Sequence, residues 1–259
     1  MVRGLEKVIY YEDELNDEFA GDSIKAIRID GKYKYLRLGF FKKLTHIFWY
    51  RVVATPLAYL YLKIKFRHKI VNKSILKKVK KGFFMYGNHT HNMADALIPS
   101  MISIPKDAYV IVHPNNVSIP YLGKITPSLG AVPLPDNMEA TKNFMACLKY
   151  RAEKGNAICI YPEAHIWPYY TKIRPFKDFS FRYPIDYEKP VISFTNVYMK
   201  RKFSKNPRII TYLDGPFYPN LKISKKEARE ELRNKVYESM VERSKLNNVE
   251  IIKYIKRGV

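Results

Sequence analysis

Cysteine is scarce in this chain, with only Cys147 and Cys159 among 259 residues. One falls in a predicted helix and the other in an apolar strand. That is no disulfide framework, which excludes a small cross-linked secreted scaffold, and both are expected to be reduced core residues suited to the cytoplasm. Acidic residues are also in short supply, 24 against 46 Lys and Arg, for a formal net charge of +22. A surplus of this size points to a polyanionic partner: nucleic acid, an anionic lipid surface or phosphorylated substrates. The first residues, Met1-Val2-Arg3-Gly4-Leu5-Glu6-Lys7, run on into acidic positions with no apolar stretch, so no signal peptide is expected. They also lack the early Ser or Thr of a myristoylation signal. There is no internal repeat and no low-complexity linker. No clean membrane span is present either: the most apolar stretch, residues 44–63, is interrupted by Arg51 and Pro56, whereas a span needs about 20 largely apolar residues.

Hydrophobic residues make up 47% of the chain, enough for a substantial core. Residues 1–43 read as an extended appendage, with hairpins over 7–38: Val8–Tyr11 and Lys25–Ile29 are β-prone, and Asp30-Gly31 marks a turn before Tyr33–Leu38. Residues 44–79 read as a basic amphipathic segment at a membrane interface. Lys42 and Lys43 precede its apolar run, Lys63, Lys65, Arg67, His68 and Lys69 follow it, and Trp49, Tyr50, Tyr59 and Tyr61 suit the headgroup level. The basic cluster continues through Lys73, Lys77, Lys78, Lys80 and Lys81, each charge contributing roughly 1 kcal/mol near an anionic leaflet.

Residues 80–259 alternate between strand and helix patterns. Strands are expected at 83–86, 108–112, 130–134, 157–161, 191–197 and 209–213. Helices are expected over 94–104, from an Asp136 cap boxed by Glu139 to Gly155, and from Ser224 boxed by Glu227 to about Leu246. The predicted fold class is α/β: a mostly parallel sheet flanked by helices, with an N-terminal membrane-interfacial helical element.

Two blocks carry chemistry. Gly87-Asn88-His89-Thr90-His91-Asn92-Met93-Ala94-Asp95 follows a buried strand and leads into a helix, the place where functional residues gather on α/β sheets. A histidine with a pKa near 6.5 can act as a base at neutrality, and an aspartate on one ring nitrogen fixes its tautomer and stabilises its cation. No Ser or Cys stands here as an obvious nucleophile. The second block, Tyr161-Pro162-Glu163-Ala164-His165, also lies just beyond a strand, and Lys172, Arg174, Lys177 and Arg182 follow it among Pro175, Phe176, Phe179 and Phe181. Those cations could clamp a phosphate. A metal-dependent hydrolase built on His89, His91 and Asp95, with Glu163 and His165 as a second pair, is an alternative. So is a basic nucleic-acid-binding protein, which would explain the charge but not the apolar stretch, and no nucleic-acid motif is present.

The two blocks, in this order, resemble the glycerolipid acyltransferases, the family of the 1-acylglycerol-3-phosphate acyltransferases. That family has N-H-x-x-x-x-D after a strand and F-P-E-G followed by T-R-S on a later one. Asn88-His89 with Asp95 matches the first block and Tyr161-Pro162-Glu163-Ala164 the second. Leu129-Gly130-Ala131-Val132 resembles the glycine-rich block between them, and Val191-Ile192-Ser193 a late strand. The resemblance implies transfer of a fatty acyl group from acyl-CoA or acyl-ACP, as donor substrate, to a lysophospholipid hydroxyl in phospholipid synthesis. No bound cofactor or metal is implied. His89 would be the base, Asp95 its orienting partner, and Glu163, Arg174 and Lys177 acceptor-site residues. Expected partners are an anionic membrane surface, the lysophospholipid and, for an acyl-ACP donor, acyl carrier protein, but not nucleic acid. The expected location is the cytoplasmic face of the cell membrane, peripheral or monotopic. The chain departs from the family pattern in two respects. His89 and Asp95 are six positions apart where the family has five, and Ile166 stands at the phosphate-binding arginine of T-R-S, with no arginine in Val132-Pro133-Leu134-Pro135 either.

Overall fold

Side-chain alternation along the central strands sorts the apolar residues onto two faces. In the structure, a computed structural model that describes residues 7–19, 21, 24–79 and 81–258, strand β3 (Phe83–Gly87) sends Phe84 and Tyr86 into one core cluster and Phe83 and Met85 into the other. Strand β6 (Ala157–Ile160) divides in the same way, with Ile158 and Ile160 on one face and Ala157 and Cys159 on the other. Both strands are buried throughout, as expected of parallel strands covered on both sides.

The main sheet has seven strands in the order β2-β8-β7-β3-β6-β4-β5. The others are β2 (Lys69–Val71), β4 (Ala108–Val112), β5 (Ala131–Pro133), β7 (Val191–Met199) and β8 (Arg208–Phe217). All neighbours pair in parallel except β7 and β8. Helices α4 (Met138–Glu153), α5 (Arg182–Asp186) and α6 (Lys225–Ser244) contribute to one core; α2 (Thr55–Phe66) and α3 (Asn92–Ser103) contribute to the other. Ser224 and Glu227 form the expected capping box of α6. At α4 the cap is Asn137, which accepts from Ala140 N–H, and not Asp136. The Asp136 carboxylate is engaged elsewhere, accepting from Ile29 N–H at 2.6 Å.

Residues 40–66 form one uninterrupted helical run, α1 (Phe40–His46), π-helical turns over Ile47–Ala54, and α2. Ala58, Leu62 and Phe66, four apart, face the core, while Phe40, Phe41, Leu44, Phe48, Val52 and Ile64 lie exposed. Arg51, the charge that breaks the apolar run, pairs with Asp107 at 2.5 Å, and His46 Nε2 lies 3.2 Å from the same carboxylate, so the run is fastened to the start of β4. No helix among the described residues is long and apolar enough to cross a membrane. Residues 1–6 and Lys80 of the basic cluster lie outside the described residues.

The hairpins expected over 7–38 do not form among the described residues. β1 (Lys7–Tyr11) pairs in parallel with β9 (Ile252–Lys256), a strand that local pattern does not announce. Residues 24–38 are irregular and lie against α4, with Ile29 fully buried and Tyr35 edge-on to Phe144. Local β-propensity marks an extended segment but not its partner. The β1–β9 pair sits over the segment after β6. Trp167, fully buried, is surrounded by the rings of Tyr11, Phe19, Tyr170 and Tyr254. Trp167 Nε1 donates to Asp17 O, and the Tyr254 hydroxyl donates to Pro168 O. Tyr254→Ala removes one wall of this clasp and is expected to cost about 1–3 kcal/mol of unfolding free energy, to be measured by denaturant titration; no change would mean that the clasp does not support the segment.

Candidate active site

The loop after β3 is built around one carboxylate. Asp95 lies in the first turn of α3 and is 1% exposed, so its charge must be solvated by protein donors. Its Oδ2 accepts from Thr90 N–H and His91 N–H, both at 2.8 Å, and lies 2.9 Å from His89 Nδ1. Its Oδ1 accepts from Asn196 Nδ2 at 3.3 Å. With acceptor-only oxygens on the aspartate, His89 must carry its proton on Nδ1. That leaves Nε2 as the basic nitrogen. It has no hydrogen-bond partner among the described residues, and the side chain is 18% exposed. The extra residue between His89 and Asp95 therefore does not prevent the pair from forming.

Asn88 ties the loop to β7 by imitating a ladder rung: Asn196 N–H donates to Asn88 Oδ1 at 2.8 Å, and Asn88 Nδ2 donates to Asn196 O at 3.1 Å. Gly87 leaves room for the Phe194 ring, which a Cβ there would meet at 2.1 Å. Phe194 stands edge-on to Tyr161, and Tyr161 stacks on the His89 imidazole with centroids 4.4 Å apart and 16° between the planes. The Tyr161 hydroxyl donates to Asp95 O at 2.5 Å. The imidazole is thus held by a hydrogen bond at its edge and a ring on its face.

Glu163 is buried beside the same loop. Its Oε2 accepts from His89 N–H and its Oε1 from Arg174 N–H, each at 3.1 Å. Burial raises its pKa, against the pull of the Arg174 guanidinium and these donors. Trp167 N–H donates to His89 O and Tyr169 N–H to Thr90 O, so the segment after β6 holds the His89 loop by its backbone as well. Ala164 takes a left-handed φ of 63° at the position where the F-P-E-G pattern has glycine.

Arg174 corrects an expectation. It is no open phosphate clamp: the residue is 1% exposed, its guanidinium faces Glu163 at 3.5 Å and the Trp167 ring at 4.8 Å, and it donates to the carbonyls of Glu14, Glu163 and His165. Its prolines and aromatics do hold the segment against the domain, but with this cation inside. Lys177 is exposed. His91 caps α3, accepting from Ala94 N–H, and its Nε2 faces the Tyr169 hydroxyl at 3.4 Å, so both ring nitrogens are engaged. Burial lowers its pKa, opposed by Asp95 and helped by the charge of Lys65. His165 lies 2.9 Å from Glu18 at the surface. No group of three His, Cys, Asp or Glu side chains placed to hold a metal ion occurs among the described residues. Sequence reading puts Lys65 only in the basic flank of the apolar run; on α2, its charge reaches His91 and Tyr169 beside the site. Sequence reading misses Asn196, a polar residue inside a strand read only as apolar.

A family model described as Acyltransferase matches residues 65–197, just over half of the chain and the whole His89-to-Asn196 constellation. Among solved structures, the 1-acyl-sn-glycerophosphate (LPA) acyltransferase PlsC from Thermotoga maritima is similar in fold, with a TM-score of 0.51 at 16% identity over 78% of this chain and 79% of that one. No curated protein matches the sequence.

Arg174→Ala would leave Glu163 buried without its cation. The expected loss is about 3–5 kcal/mol of stability, whereas Lys177→Ala, on the surface, should stay within about 0.5 kcal/mol of the parent. Thermal and denaturant unfolding of both variants checks this, and equal stabilities would return Arg174 to the pool of substrate-facing cations.

Proposed function

Because the chain belongs to the acyltransferase family, we propose that it moves a fatty acyl group from a thioester donor, acyl-CoA or acyl-ACP, to the hydroxyl of a lysophospholipid, with 1-acylglycerol-3-phosphate as the first acceptor to try. The observation that carries the reading is the His89–Asp95 pair inside the matched region, with Nδ1 bound to the carboxylate and Nε2 open. His89 Nε2 takes the proton of the acceptor hydroxyl as its oxygen attacks the thioester carbonyl carbon. Asp95 stabilises the imidazolium so formed. The tetrahedral intermediate collapses with cleavage of the C–S bond, and the thiolate leaves with the proton returned by Nε2. The product is the acylated lipid hydroxyl plus free thiol. The N–H groups of His89, Thr90 and His91 are committed to Glu163 and Asp95, so the donors for the intermediate's oxyanion come from elsewhere. For the acceptor phosphate, Lys65 and Lys177 replace Arg174 as first choices.

In this reading the acceptor is presented at an anionic membrane surface, with the protein bound peripherally at the cytoplasmic face. The exposed apolar residues of α1 and the π-helical turns would enter the interface, with Lys42, Lys43 and Lys63 at headgroup level. The similar PlsC structure, described as acting on LPA, supports the choice of acceptor.

Two outcomes are expected. Purified protein should release thiol from acyl-CoA or acyl-ACP only with a matching lysolipid present, and His89→Ala should lower kcat by about 10²–10⁴-fold; transfer that survives in His89→Ala would remove His89 as the base. Replacing Phe40, Phe41, Leu44 and Phe48 together by Ser should abolish binding to vesicles of mixed neutral and anionic lipids and leave the fold intact, since none of the four belongs to the buried core. Undiminished sedimentation with vesicles would place the membrane surface elsewhere. Deleting the whole segment is no substitute, because α2 supplies Ala58, Leu62 and Phe66 to the core.

A further inference from the structure

Behind Asp95 a line of buried polar side chains crosses the sheet to the far side of β8. Asn196 on β7 and Thr211 on β8 are register partners, and Thr211 also pairs with Ile70 on β2. Thr211 Oγ1 lies 2.7 Å from Asn196 Oδ1 and 2.8 Å from Nε2 of His68, which just precedes β2. Asn196 and Thr211 are at most 1% exposed and His68 is 5% exposed. No Lys or Arg among the described residues pairs with Asp95.

The chemistry of these groups fixes the direction of every bond. Asp95 Oδ1 is a carboxylate oxygen and accepts only, so Asn196 must present its Nδ2 there and its Oδ1 to Thr211. The Thr211 hydroxyl therefore gives its hydrogen to Asn196 and accepts from His68, whose Nε2 carries the proton. Burial, with Lys63 contributing, pushes the His68 pKa down to about 4, so the ring is neutral at pH 7 and has one N–H to place. All donors point toward Asp95. The opposite arrangement, with Asn196 turned over, would set its carbonyl oxygen against Asp95 Oδ1 and fits only a protonated aspartate.

We propose that Asn196, Thr211 and His68 form a positioning relay that keeps Asp95 ionised in its buried site and so sets the proton affinity of His89. The role rests on His89 being the base. Asn196 acts through Asp95, and Thr211 and His68 act through Asn196 by fixing which end of its amide faces the carboxylate. Hydrogen bonds donated to a carboxylate favour its charged form, so their loss makes the unprotonated His89–Asp95 pair a stronger proton acceptor. Its titration must then move to higher pH. The other titratable groups around the pair are Tyr161, Cys159, Glu163, His91 and Tyr198, and the relay variants alter none of them.

The test is an NMR titration of the isotope-labelled His89 ring in the full chain without substrate, its signal assigned by its loss in His89→Gln. Asn196→Ala removes the direct donor but keeps the backbone bonds to Asn88. Thr211→Val removes only the hydroxyl, and Thr211→Ser restores it. The His89 midpoint should rise by about 0.5–1 unit in Asn196→Ala, rise by less in Thr211→Val, and return to the parent value in Thr211→Ser. In the acyl-transfer assay the same two variants should lose about 10-fold in kcat with both KM values within about twofold. A folded Asn196→Ala or Thr211→Val with an unmoved midpoint overturns the relay, even if kcat falls, because loss of packing alone lowers activity without shifting the ring's titration. Either variant suffices if the other fails to fold. An absence of acyl transfer in the parent would instead refute the proposed function, and the substrate-free titration would still decide the relay.

Discussion

A carboxylate sealed from water has to be surrounded by donors, and in this chain that requirement organises the site. Asp95 is closed off between β3, β7 and α3, and four groups turn hydrogens toward it: the ring of His89, the amides of Thr90 and His91, and the side chain of Asn196. Those amides can reach it only if the loop doubles back over the first turn of α3, which His91 secures as the cap. Asn196 can reach it only if β7 is held level with the end of β3, which Asn88 does with two bonds to its backbone. The geometry of the imidazole follows from these constraints, and Glu163 and Tyr161 refine it.

Glu163 repeats the problem one layer further out, with a different solution. It too is a buried acid, but an arginine neutralises it and it accepts from two backbone amides on separate segments. A buried ion pair of this kind gains little over an apolar filling, while breaking it is expensive. Its effect here is positional, because it joins the His89 loop to the segment that carries Trp167. The absence of the family's usual phosphate-binding arginine and the burial of Arg174 are consistent with each other: the arginine at 174 serves the scaffold.

Much of the architecture was legible where one residue's neighbours in sequence are also its neighbours in space. The fully apolar strands β3 and β6, the Ser224–Glu227 box and the His89/Asp95 block belong to this class. What was not legible depends on partners far away in the chain. β1 reads locally as half of a hairpin because its mate lies more than two hundred residues later, and Asn137 rather than Asp136 caps α4 because Ile29 claims the Asp136 carboxylate. Arg174 reads in sequence as an acceptor-site cation, and neither its burial nor its bond to Glu14, far earlier in the chain, is announced locally. Asn196, Thr211 and His68 share no local motif at all, and only the register of three strands brings them into line. Arg51 is the instructive intermediate. It was visible as an interruption of an apolar run, and its purpose, an ion pair with Asp107, appears only once the helix is docked.

The parallel pairing of β1 with β9 has a consequence for how the molecule is made. A chain that emerges from the ribosome one residue at a time presents residues 7–11 some two hundred and forty residues before residues 252–256. Throughout that interval the early strand has an open edge with Val8 and Tyr10 exposed, the kind of edge that other chains can pair with. The segment around Trp167 likewise has no lid until the late strand arrives. Contacts of such long sequence separation form late, so the doubly wound core can assemble first and the Trp167 segment is covered only afterwards. Partly synthesised chains would then hold a folded sheet with the Trp167 segment still uncovered.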